Sequence, residues 1–97
     1  MLTVYGGVPT DPAKRDEIDA AAAAFIATCL TEEGCVDYSL AWSIDRPGFI
    51  RLLETWESVE AHAAHTRQPH VIEWTAFIAA ASTAAPTFTK LTAELVS

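Results

Sequence analysis

The sequence predicts an α+β fold in which a four-stranded antiparallel sheet carries its helices on one face. Three observations lead there. The hydrophobic period alternates between 2 and 3.6 in the order strand, helix, strand, strand, helix pair, strand. An Asp45-Arg46-Pro47-Gly48 turn joins the two middle strands into a hairpin. The 97 residues contain no linker or repeat, so residues 1–97 read as a single domain. This order is that of the split βαβ arrangement.

Residues 2–8 alternate Leu2, Val4, Gly6 and Val8 against Thr3, Tyr5 and Gly7, a strand with a tolerant glycine-bearing end. Asp11-Pro12 then opens a helix. The carboxylate can accept orphan amide hydrogens, and proline lacks the one that needs no partner. Ile18, Ala22, Phe25 and Cys29 recur at helical spacing while Lys14, Arg15, Asp16 and Asp19 fall elsewhere. An amphipathic helix of about five turns is expected, ended by Gly34. From Val36 the period becomes 2: Val36, Tyr38, Leu40, Trp42 and Ile44 share one face, and Asp37, Ser39, Ala41, Ser43 and Asp45 the other. The return arm, 49–56, is apolar on both sides, with Ile50, Leu52 and Trp56 on one face and Phe49 and Leu53 on the other. That marks a central strand. Ser58 caps the next helix, which Pro69 interrupts and restarts. Val71, Trp74 and Ile78 form the stripe of the last helix, with Phe77 beside it. The helix runs out in the small residues of 79–85 before a final strand over 87–96.

A sheet with helices on one face leaves the other bare. Burying a large apolar side chain there stabilises by about 1.5–3 kcal/mol, and 51% hydrophobic residues is more than a small monomer needs. A homodimer packed sheet to sheet is expected. Six Lys and Arg against thirteen Asp and Glu give a net charge of -7, which disfavours nucleic acid and anionic membranes as partners. No run approaches the roughly 18 apolar residues of a membrane span, and Leu2-Thr3-Val4-Tyr5 is not a signal peptide. Cys29 and Cys35 are expected as reduced, half-buried thiols in a cytoplasmic protein.

Chemistry concentrates in 51–74. All three histidines, His62, His65 and His70, lie there beside Trp56 and Trp74. Histidine is the one side chain whose ordinary pKa, about 6.5, sits near neutrality. No Gly-x-Gly-x-x-Gly turn or Gly-x-Ser-x-Gly elbow competes with them. A metal is not expected, because Pro69 separates His62 and His65 from His70 and Glu73 and the spacing is not His-Glu-x-x-His.

Glu33-Gly34-Cys35 followed by Tyr38, then Glu54-Thr55-Trp56-Glu57-Ser58 with Ala61, His65, Pro69 and His70, resembles the antibiotic biosynthesis monooxygenase family. Met1-Leu2-Thr3-Val4, Glu32 to Cys35 and Trp56-Glu57-Ser58 look most like its small quinol monooxygenases. The resemblance implies a ferredoxin-like fold, a homodimeric α/β barrel, and a pocket between sheet and helices. It also implies oxidation of a small aromatic, quinol or polyketide-like substrate by molecular oxygen, with no cofactor and no metal. Such an enzyme supplies a base, donors for the substrate anion and a dry cavity.

His65, which matches the family position, and His70, at a helix start after Pro69, are the candidate catalytic bases. His62 lies within about 60° of His65 on the same helix and joins Tyr38, Trp56 and Trp74 as a candidate substrate-binding residue. Glu54 shares its strand face with Leu52 and Trp56 and needs a partner, such as Arg51 of a neighbouring strand or subunit or an amide donor. The haem-degrading branch is disfavoured, since His65 and Thr75 stand where that branch has its tryptophan and axial histidine. A non-catalytic ligand-binding dimer of the same fold is the alternative.

Overall fold

The computed structural model describes residues 1–97. Four strands, β1 (Leu2–Pro9), β2 (Cys35–Trp42), β3 (Phe49–Trp56) and β4 (Thr87–Thr92), form one antiparallel sheet in the order β2-β3-β1-β4. The helices are α1 (Arg15–Cys29), α2 (Val59–His65) and α3 (Pro69–Ala81). Register fixes the helix-facing side: Leu2 opposes Trp56, Val4 opposes Glu54 and Val8 opposes Ile50, while Tyr38, Leu40 and Trp42 oppose Glu54, Leu52 and Ile50. The α+β, ferredoxin-like arrangement expected from the sequence is the one observed, with β3 interior to the sheet.

Several local expectations change. Asp11 does cap, accepting from the Ala13 amide at 3.0 Å, but what it caps is a single 3-10 turn, Pro12–Lys14. The α-helix proper starts at Arg15 and lasts about four turns. It stops at Cys29 rather than running to Gly34, because the Thr31 amide and hydroxyl both turn back to the Thr28 carbonyl. Gly34 serves the turn beyond, at φ +82°. A Cβ there would lie 2.6 Å from the Ala61 methyl, so the loop can press against α2 only without a side chain. The alternation of β2 is broken by a bulge between Cys35 and Asp37, which throws Val36 outward. Ile44 lies past the strand and is fully exposed. β4 ends at Thr92 rather than Val96, leaving Leu95 and Val96 in solvent.

Two apolar clusters fill the layer between sheet and helices. One centres on Val8, Ile18, Ile50 and Ala81, the other on Phe25, Cys29, Tyr38 and Trp56; Leu40 and Trp74 pack against both. On the opposite sheet face, Phe49 is buried within its own chain. The Arg46 guanidinium sits 3.8 Å over its ring, and the ring lies where a Gly7 side chain would stand. Tyr5, Leu53 and Leu91 on that face stay 50%, 44% and 41% exposed.

Candidate functional site

Between the helix-facing side of the sheet and α2 and α3 lies a cavity of about 400 Å³. Phe25, Leu40, Leu52, Val71, Trp74 and Ile78 supply much of its apolar wall. The Phe25 and Trp74 rings stack at 4.8 Å and 8°, and Phe25 meets the edge of Tyr38 at 5.4 Å and 89°. The helices do not cover β4, so Phe88 and Lys90 are exposed and form the rim.

The polar part of the wall comes from β2, β3 and α2. Glu54 reaches it because period-2 alternation sends it to the helix side with Leu52 and Trp56. His62 and His65 reach it because they are three residues apart on α2, whose start is fixed by the Ser58 hydroxyl accepting from the Ala61 amide at 3.1 Å. Behind them stands Glu32, held in the turn after α1. Its amide donates to the Cys29 carbonyl at 3.0 Å, and the neighbouring Gly34 carbonyl accepts from the Glu57 amide at 2.8 Å.

These side chains form one chain of contacts. An ionised carboxylate only accepts, so Glu32 Oε2 takes Nδ1–H of His65 at 2.7 Å and Nε2–H of His70 at 2.9 Å. A neutral His65 then keeps its lone pair on Nε2, which lies 3.8 Å from Glu54 Oε1. The Trp56 indole N–H donates to the same Glu54 oxygen at 2.7 Å, and His62 Nε2 stands 3.3 Å from it. Burial is the main cause that raises the Glu54 carboxyl above the ordinary range, against the lowering effect of the Trp56 bond and of His65. Burial, helped by Lys90 and His65, pushes His62 down. Burial, with Glu54 second, pushes the Tyr38 phenol far up, so it stays a protonated donor. The Tyr38 side chain makes no hydrogen bond within the protein, yet no buried polar side-chain atom is left unpartnered. Its hydroxyl is therefore open to the cavity.

Residues 1–77 match the sequence model of the antibiotic biosynthesis monooxygenase family. The chain belongs to that family. Among solved structures it resembles Rv0793 from Mycobacterium tuberculosis, with 27% identity, 99% of this chain and 98% of that one covered, and a TM-score of 0.87. It also resembles a Caulobacter crescentus protein named for the same family, with 24% identity, 97% and 90% covered, and a TM-score of 0.91. No curated protein matches the sequence.

Within this antibiotic biosynthesis monooxygenase domain, Tyr38, His62, His65 and Trp74 line the cavity. Trp56 and His70 do not. Trp56 is wholly buried with its N–H on Glu54, and His70 bonds Glu32 without reaching the cavity lining. Glu54 finds its partners in Trp56 and His62; Arg51, one of the partners expected for it, lies on the opposite sheet face because adjacent strand residues alternate. Three residues of this region go unremarked as site residues in the sequence: Glu32, 33 positions before His65; Lys90, at the rim; and Phe25, in the aromatic wall. The Glu32-Glu33-Gly34-Cys35 motif was the available signal for the first. No helix is long and apolar enough to cross a membrane. Cys29 and Cys35 are free thiols, the first buried and the second partly so.

Proposed function

We propose that this chain is a cofactor-independent monooxygenase that oxidises a small phenol or quinol-like aromatic with molecular oxygen. The observation that supports the reading is an apolar cavity whose polar wall includes His65 and Glu54, with Glu32 bonded behind His65 and the free Tyr38 hydroxyl beside it. The aromatic wall of Phe25 and Trp74 suits a flat ring. His65 Nε2 takes the substrate's hydroxyl proton, and the resulting imidazolium is held against the Glu32 carboxylate. Tyr38 donates to the substrate oxygen as it becomes anionic, and Lys90 at the rim attracts that negative charge. The electron-rich anion then reduces oxygen itself. A ring C–H becomes a C=O, the second oxygen atom leaves as water, and no outside reductant is required. The apolar wall protects the intermediate from solvent.

The experiment is oxygen uptake by the purified protein with a panel of quinols and phenolic polyketides, in the presence of a chelator. Uptake with matching formation of the oxidised ring is expected. If aromatic ligands raise the melting temperature without oxygen consumption, the reading passes to a non-catalytic ligand-binding protein of the same fold.

The working form in this reading is a homodimer joined through the uncovered sheet face. Tyr5, Leu53 and Leu91 are the apolar groups it would bury, each stabilising by about 1.5–3 kcal/mol if fully covered. Phe49, already covered by Arg46, adds little. Sedimentation velocity at micromolar concentration should return a dimer, and a monomer there would remove the proposal.

A further inference from the structure

We infer that Cys29, Glu32, His65 and His70 form a binding site for a single transition-metal ion of the zinc type. The ligand set expected to fail on sequence grounds was a different one, His62, His65, His70 and Glu73; the fold leaves Glu73 exposed and brings Cys29 and Glu32 to the histidines instead. One ligand atom from each of the four lies within 4.8 Å of all the others. A tetrahedral ion with bonds of about 2.0–2.3 Å spaces its donors roughly 3.3–3.8 Å apart, so closing the set takes a side-chain adjustment of about an ångström.

The chain spacing also suits an ion. Cys29 and Glu32 are separated by two residues across the end of α1, and His65 and His70 by four across the turn between α2 and α3. Two close pairs brought together by the fold are the pattern of closed zinc sites, and a mixed sulfur, nitrogen and oxygen set favours zinc or cobalt over magnesium or calcium. A carboxylate for the second shell stands nearby, with Glu54 Oε1 3.8 Å from His65 Nε2. With the ion on Nδ1 of His65, its Nε2 carries the ring proton and faces Glu54, the carboxylate that would orient a ligating histidine. His65 and Cys29 are buried and Glu32 and His70 partly so, which distinguishes the cluster from acidic groups at the surface.

Occupancy of this site bears on the monooxygenase proposed above. Metal on Nδ1 turns Nε2 from a proton acceptor into a donor, so the loaded site and the proposed base are mutually exclusive states. An ion here inhibits rather than catalyses.

The test is titration of the metal-free protein with Co²⁺, followed by zinc competition. One equivalent should give the visible bands of tetrahedral cobalt and a near-ultraviolet thiolate-to-cobalt band. Cys29→Ser should lose the thiolate band. His70→Ala, at a partly exposed position, should weaken binding by at least the about 10–100-fold that loss of even an outer-shell partner costs. Zinc should raise the melting temperature of the wild type and not that of His70→Ala. Absence of tetrahedral bands, or binding that neither substitution changes, overturns the site. These readouts need no oxygen uptake, so they stand or fall independently of the proposed activity.

Discussion

His65→Ala should lower kcat for oxygen uptake by about 10²–10⁴-fold, the usual contribution of a positioned general base. Of the three histidines, His65 is the one that both lines the cavity and is hydrogen-bonded to Glu32. His62 also lines the cavity, but burial pushes its pKa down, so it is a weak acceptor, and no Glu32 stands behind it. His70 shares Glu32 but lies off the wall, so His70→Ala should act on kcat only by loosening Glu32. Glu32→Gln should fall in the direction of His65→Ala by a smaller factor, because the amide can still accept from Nδ1–H but no longer neutralises the imidazolium. The comparison uses whichever quinol the wild type turns over best, on variants whose circular dichroism matches it. Wild-type kcat in His65→Ala would take away the proposed base; equal losses in His65→Ala and His70→Ala would point to disruption of the Glu32 cluster instead.

The order of the four residues in this ranking was only partly legible beforehand. A three-residue helical offset sets His62 and His65 near one another without tertiary information, but it leaves room for one of them to face solvent, and in the fold both are buried. Glu32 could not be paired with them, because a contact across 33 residues depends on where a turn lands. That turn is set by three things outside the histidine segment: the early stop of α1 at Thr28 and Thr31, the left-handed Gly34, and the Gly34 carbonyl held by Glu57. The same limit explains β2. Its alternation is strong enough to identify the strand, but a bulge inserts a residue without any change in composition, and Val36 moves from the expected core face to solvent. For Glu54 strand alternation alone decides which neighbours in its own strand can reach it. Arg51 and Glu54 are three residues apart on one strand, so they cannot share a face, whereas Trp56, two residues on, must. The sheet itself followed from periodicity. Which face of it was short of cover did not follow fully, since the Arg46 guanidinium over Phe49 depends on the path of the 45–48 turn.

The largest stability loss is expected at Trp56. It closes β3, opposite Leu2 and Cys35 in the register, with none of its surface exposed. Its ring lies 4.5 Å from that of His65, and its N–H holds Glu54. Trp56→Ala would empty the largest fully buried side chain of the domain, at a cost of about 3–5 kcal/mol. Loss of the N–H donor to a buried carboxyl adds about 1–3 kcal/mol. Against the roughly 5–15 kcal/mol that holds a typical domain together, this substitution approaches unfolding. Trp56→Phe largely separates the two effects, since it removes the donor and keeps most of the apolar volume. It should cost about 1–3 kcal/mol from the lost bond, with a smaller addition for lost volume. In a domain of this size each kcal/mol is worth about 4–8 °C in melting temperature. Removing the donor also removes one of the influences that lower the Glu54 pKa, so a carboxyl already raised by burial moves further up. The bond can be isolated by pairing Trp56→Phe with Glu54→Leu, because removing both partners of a buried hydrogen bond is nearly neutral where removing one is not. Thermal melts of the four proteins in this cycle should show the double variant less destabilised than the sum of the singles. Strict additivity would mean that the Trp56–Glu54 bond contributes nothing, and that Trp56 supports the site by volume alone.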